Sequence, residues 1–307
     1  MHETCTAICS VDLPTGNEVS VVRRRLQGGE GPCVALVAGM RGDAPAGIRV
    51  LHDVVRILRA GSGLAGTVDI YPCANPVAAH GGRRTWPFFD VDLKRVFPGR
   101  PDGSPPDRVA HALATHLKEA DVVVEVDDAG TGFRACVHAQ VRRGWARETD
   151  LAVRSGVRVV WERTPGPLLS GAFAASLPTV VALRGGAGHR LEERSDAAMV
   201  EIVLGLLGVA GLVAAVPQPA TPCLEVGDAE VVPVRAEAGG LFIPGCEPGA
   251  QVAQGEALGA VVDPIAVEEL EVLVAPRAGR VLAMREQPVV YPGSTIARIV
   301  IPLELPA

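Results

Sequence analysis

The chain has 307 residues, enough to bury a sizeable core in a main domain plus a smaller one. Nearly half of it is apolar, with no long charge run or low-complexity tract, which excludes a disordered chain. The formal charge of -6 supplies no basic surface for a phosphate backbone, so nucleic acid is not an expected partner.

At the N-terminus, residues 1–12 lack a basic stretch followed by an apolar core. No apolar run anywhere reaches the roughly 18 residues that span a bilayer. The reading is a cytoplasmic protein with no membrane partner. Residues 18–24 read as a strand, followed by a Gly-rich turn at 28–31 and the apolar run 33–38, a buried-strand pattern ended by the loop 39–43. Pro45 suits the first position of a helix whose apolar residues Ile48, Leu51, Val54, Val55 and Leu58 recur at helical spacing. The alternation continues with a strand at 66–71, a helix at 106–119 and strands at 121–126 and 136–141. Strands at 158–161 and 179–183 and a helix at 195–212 follow. Such alternation argues for an α/β domain, residues 1–213, with a mostly parallel sheet flanked by helices and ligand-binding loops at the C-terminal strand ends.

Residues 214–223 open with AAVPQPATP, which cannot continue a helix and reads as a Pro-rich linker. Beyond it, residues 224–307 carry short Val/Ile/Leu runs separated by Gly and Pro turns, an all-β, barrel-like domain. Residues 240–302 resemble the biotinyl/lipoyl-like barrel. Carrier barrels attach their cofactor to a lysine, and none occurs here, which leaves packing or gating. Seven cysteines at irregular spacing fit a reducing compartment, and Cys5 and Cys9 have no second Cys/His pair with which to form a zinc site.

Several ordered blocks carry a more specific signal. They are Gly39-Met40-Arg41-Gly42-Asp43-Ala44, Asn75-Pro76-x-Ala78, Gly82-x-Arg84-x-x-Pro87 and Asp92-Leu93-Lys94-Arg95-Val96-Phe97-Pro98-Gly99. Together they resemble the succinylglutamate desuccinylase/aspartoacylase family of the zinc carboxypeptidase clan. The family patterns are Gly-x-His-Gly-Asp-Glu, Asn-Pro-x-Ala, Gly-x-Arg-x-x-Pro and Asp-Leu-Asn-Arg-x-Phe-Pro-Gly. The resemblance implies a zinc-carboxypeptidase-like mixed, mostly parallel sheet and, in the family, a zinc-dependent amide hydrolase. It also marks where this chain departs. The metal-binding His and Glu of the first block are Arg41 and Ala44, Lys94 replaces Asn, and Asp127 stands where a strand ends in the third zinc ligand. Within residues 178–188 the family's catalytic Glu is replaced by Leu183 or Arg184, depending on a one-residue register choice.

A hydrolytic zinc site needs neutral His nitrogens, carboxylate oxygens and an open position for water. Arg41 has no lone pair to donate, Ala44 offers nothing, and the base that deprotonates water is missing. No cofactor is therefore expected. Arg41 and Asp127 are positioned by motif to form a bidentate salt bridge across the former metal space. Arg84 and Arg95 fall where the family's substrate-carboxylate arginines sit. With Arg41, Lys94 and Arg184 they form the expected anion-binding set.

Catalytic roles are unassigned, with Lys94 and Asp127 the candidates, Lys94 as a nucleophile if arginines surround it. A different ion on Asp127, Asp128 and His138, joined by Asp43, is the alternative metal set, opposed by strand alternation between the two neighbouring aspartates. The leading reading is a metal-free, non-hydrolytic family member that binds an anionic metabolite or N-acyl amino acid, or supports an active partner, and a homo-oligomer is open. A deacylase with an altered site in the same pocket is the alternative, and a pure interaction scaffold the third.

Overall fold

The computed structural model describes residues 1–61, 63–164, 175–214 and 222–301. Strands β1 (His2–Asp12) and β2 (Glu18–Gln27) form an antiparallel hairpin ahead of β3 (Gly29–Val37). Helix α1 (Pro45–Ala60) leads to β4 (Ala65–Tyr71), the short turns α2 (Pro76–His80) and α3 (Leu93–Val96), and helix α4 (Pro105–Leu117). There follow β5 (Val122–Asp128), β6 (Phe133–Arg142), α5 (Ala146–Arg154), β7 (Val159–Arg163), β8 (Val180–Ala187) and α6 (Glu193–Val209).

Strands β4, β3, β5 and β8 are parallel neighbours at the centre of a mixed sheet, with β6 antiparallel to β8 beside them. Both faces are covered, which explains the unbroken apolar runs. Val34 and Leu36 of β3 and Val122, Val124 and Val126 of β5 enter one core with α1 and α6. Ala35, Val37 and Val123 enter the other with α4. Pro45 opens α1 as expected, and Val50, Leu51, Val54, Val55 and Leu58 form its buried stripe.

The second half adds β9 (Leu224–Gly227), β10 (Val231–Arg235), β11 (Gly240–Pro244), β12 (Gln251–Val252), β13 (Ala257–Asp263) and β14 (Glu268–Val274). Strands β15 (Gly279–Arg285), β16 (Val289–Val290) and β17 (Thr295–Val300) complete it. Strands β14, β13, β11 and β16 form a separate antiparallel sheet around Phe242, Leu258 and Val261. The fold is thus a mixed α/β sheet with flanking helices and a C-terminal antiparallel β region.

Most of the expected linker, residues 215–221, lies outside the described residues. Hydrogen bonding nevertheless crosses from one segment to the other. Strand β9 pairs parallel with β7, and β15 pairs antiparallel with β6, so one sheet runs from β1 through the α/β layer to β17 and β10. Among the described residues, no helix is long and apolar enough to cross a membrane. The seven cysteines are free thiols.

Candidate functional site: a salt-bridged cluster beside an arginine-lined cavity

Strand parity places the charged side chains. On β5, Val122, Val124 and Val126 point toward α1, so Glu125 and Asp127 emerge together on the opposite face. On the adjacent strand β8, Val181 and Leu183 join the same apolar core, which leaves Arg184 on the face of Asp127, its partner in register. The side of the strand that faces the site therefore belongs to Arg184 and not to Leu183. His138 of β6 lies next in that row, opposite Arg184.

The loop after β3 is pressed against α2. A Cβ on Gly42 would fall inside the backbone of Ala78, and one on Gly47 would meet the Val126 carbonyl, so both close approaches require glycine. Asn75 ties the two segments together: its side chain caps α2 at Ala78 N (3.2 Å) and donates to Met40 O (3.3 Å). Asp92 caps α3 through Lys94 N (3.1 Å) and also receives Arg84 (2.8 Å). The Asn-Pro and Gly-x-Arg blocks are thus loop-fixing devices that hold Arg41 and Lys94 in place.

The Lys94 ammonium sits against both Glu125 Oε1 and Asp127 Oδ2. Arg184 contacts the same two carboxylates, Asp127 through Nη1 and Glu125 through Nη2 at 3.3 Å. Arg41 reaches Asp43 at 2.9 Å, Asp128 at 3.2 Å and Thr131 at 3.3 Å, and comes only within 3.9 Å of Asp127. The expected bidentate Arg41–Asp127 bridge is absent because Lys94 and Arg184 already occupy that carboxylate. Arg41, Lys94, Glu125, Asp127 and Asp128 are all buried.

Burial opposes ionisation of Asp127, but Lys94, Arg184 and Arg41 outweigh it and hold its carboxyl well below the usual range. Asp128 is pushed the other way, by burial and by Asp127 beside it. Three cations therefore meet four carboxylates, counting Asp43, so each cation of the cluster has its acidic partners within the protein.

A cavity of about 390 Å³ opens beside this cluster, within the range of small-molecule sites. Arg84, Arg163, Arg184 and Arg298 line it, with Asp128 its lone carboxylate among the described residues and His138 on its wall. His138 Nδ1 donates to Cys136 O (2.9 Å), and Nε2 accepts from Gln140 (3.2 Å). Burial lowers its pKa to about 4, assisted by Arg184, Arg163 and Arg298, so the ring is neutral.

Residues 30–163 match the family described as the succinylglutamate desuccinylase/aspartoacylase catalytic domain. That segment, less than half of the chain, is similar to the catalytic domain of this family. A curated relative, N-alpha-acetyl-L-2,4-diaminobutyric acid deacetylase of Halomonas elongata, is 39% identical over 113 residues, 36% of this chain. The alignment spans 32% of that relative's length. Among solved structures, a succinylglutamate desuccinylase/aspartoacylase from Rhodobacter sphaeroides superposes with a TM-score of 0.85 at 22% identity, covering 98% of this chain and 96% of the other. The product-bound ectoine utilization protein EutE (DoeB) from Ruegeria pomeroyi gives 0.79 at 23% identity, covering 94% and 90%. These structures share the fold across both segments.

Within this fold, the three metal positions implied by the resemblance do not fit zinc. Arg41 and Ala44 have no lone pair to give, and the Asp127 carboxylate is engaged by two cations. The alternative set is divided among separate partners. Asp127 holds Lys94 and Arg184, Asp128 holds Arg41 and Gly130 N (2.8 Å), and His138 holds Cys136 O. Among the described residues, no group of three or more His, Cys, Asp or Glu side chains is placed to hold a metal ion.

Lys94 lies between carboxylates and not among arginines alone, an environment opposite to the one a nucleophilic amine needs. Of the expected anion binders, Arg84 and Arg184 line the cavity, Arg41 and Lys94 lie in the cluster, and Arg95 is exposed on α3. Sequence reading missed Glu125, Arg163 and Arg298. The period-two spacing of Glu125 and Asp127 was a usable signal for the first.

Proposed function

We propose that this protein is a non-hydrolytic member of its deacylase family that binds a small carboxylate-bearing molecule, such as an N-acyl amino acid, without a metal ion. One observation carries the reading: Lys94 and Arg184 occupy the Asp127 carboxylate, directly beside a cavity lined by four arginines. A catalytic water would need a cation to acidify it and a base to deprotonate it. Arg41 is a fixed cation without a coordination site, and Arg184 stands on the strand face where a base would act. Guanidinium groups suit carboxylates through paired N–H donors, and recognition survives without turnover.

The test combines metal analysis of the purified protein with amide-hydrolysis assays and thermal shifts in N-acetyl-L-aspartate and succinate. The reading expects sub-stoichiometric zinc, no turnover and a rise of about 5 °C at a hundredfold excess over Kd. Stoichiometric zinc with amide turnover would overturn it.

A further inference from the structure

The arginines of the cavity are not equivalent. Arg184 is committed to Asp127 and Glu125, and Arg84 to Asp92. Arg163 lies over the Trp161 ring at 4.5 Å, and its acidic contact is Nε to Asp228 Oδ1 at 3.6 Å. That carboxylate also accepts hydrogen bonds from Trp161 Nε1 (3.0 Å) and from Thr164 N and Oγ1 (2.9 Å each), and Arg163 Nε makes no hydrogen bond among the described residues. Arg298 has no hydrogen-bond or ion-pair partner among the described residues. Its guanidinium sits 5.2 Å from the Phe133 ring centroid, partly buried.

Sheet register explains how Arg298 reaches the cavity. It pairs with Ala283 of β15, which pairs with Ala135 of β6, so one row of the continuous sheet reads Arg298, Ala283, Ala135. The two alanines leave the space that larger side chains would fill, and both line the cavity. A guanidinium withdrawn from water without an anion is unfavourable, and Arg163 nearby adds like-charge repulsion. Burial and Arg163 both act against the charged form of Arg298, with Arg235 adding to them.

We infer that Arg298, from the C-terminal β region, and Arg163 together form an oxyanion subsite that receives the acidic headgroup of the ligand across the junction of the two segments. This assignment rests on the proposed binding function and adds to it. The anion is held at the end of the cavity away from the Arg41–Lys94–Asp127 cluster, by residues outside the sequence motifs. Carboxylate and phosphate present the same paired oxygens to such a fork. Neutral His138 and the Gln140 amide flank this end without adding charge.

The experiment measures binding of succinate, N-acetyl-L-aspartate and inorganic phosphate by calorimetry to the wild type, Arg298→Gln, Arg163→Gln and Arg84→Gln. Ligand-free thermal midpoints are read in parallel. The expected result is a loss of affinity of about tenfold or more for Arg298→Gln and for Arg163→Gln, with a smaller loss for Arg84→Gln. Binding of succinate and N-acetyl-L-aspartate but not phosphate identifies a carboxylate subsite, and the reverse a phosphate subsite. Arg298→Gln should also raise the ligand-free midpoint, because it removes an uncompensated cation, whereas loss of a structural contact would lower it.

Wild-type binding that Arg298→Gln and Arg163→Gln leave intact would overturn the subsite and spare the proposed function. A lowered ligand-free midpoint for Arg298→Gln with unchanged affinity would also overturn it. Failure of the wild type to bind any of the three probes at millimolar concentration would overturn both.

Discussion

Two neighbouring charged regions of this molecule are built on opposite principles. Around Asp127, cations and carboxylates were brought together in nearly equal number and buried, so each answers another within the protein. At the Arg163–Arg298 end of the cavity, guanidinium groups face open space with little acidic company. The first arrangement pairs its charges internally and so supports the fold, whereas the second is completed by something from outside. Counting arginines in motifs cannot separate these cases, because the distinction lies in which partner each one already has.

The sharpest way to break this contrast is Asp127→Ala, which leaves Lys94 and Arg184 buried with Glu125 alone. It is expected to destabilise by about 3–5 kcal/mol in urea denaturation. A change below about 1 kcal/mol would mean that the cluster is not a structural unit.

Acid titration probes the wall between the two regions. The pKa of His138 is lowered from 6.5 to about 4, so the native state binds fewer protons than the unfolded chain between those values. Its contribution is present above pH 6.5 and is lost as the pH falls toward 4, in total about 3 kcal/mol. Denaturation midpoints should decline across that window, and His138→Gln should flatten the decline. The depressed Asp127 carboxyl acts lower, below the ordinary carboxylate value of 3.8, and does not blur the result.

A smaller effect is expected from metal. Titrating zinc or adding a chelator should shift the midpoint by less than about 1 °C, since no ligand set is offered at the cluster. A stabilisation of several degrees would reverse the assignment of that region. Smallest of all, Arg95→Ala should change stability by less than about 0.5 kcal/mol and leave succinate affinity unaltered, as Arg95 is exposed and lines neither region. A measurable loss of affinity would extend the binding face toward α3.

Much of the architecture was legible from local pattern. Helix α1 announced itself through Pro45 and an apolar stripe, and β3 and β5 through runs buried on both faces. Strand β1 escaped notice because most of its residues are exposed or half-buried and it pairs with β2 alone, so no apolar run marks it. Helix α5 did too, since only Glu148, Leu151 and Ala152 of its residues are buried.

Within the site, the motif blocks and the end of β5 drew attention to Arg41, Lys94 and Asp127, but motif order could not decide which cation takes which carboxylate. That choice follows from the parity of β5 and β8. Arg298 could not be foreseen from its neighbours in the chain. Its place beside the cavity depends on the pairing of β17 with β15 and of β15 with β6, the second of which joins residues more than a hundred positions apart.

Those same pairings constrain how anything enters. Because Ala135 and Ala283 are partners on adjacent strands, the C-terminal region cannot swing open on a hinge without parting β6 from β15. Exchange should instead proceed through rotation of the half-exposed Arg84 side chain, a picosecond-to-nanosecond motion. Association would then be limited by diffusion and electrostatic steering, slowing as salt is added, with the amide protons of β15 staying protected throughout.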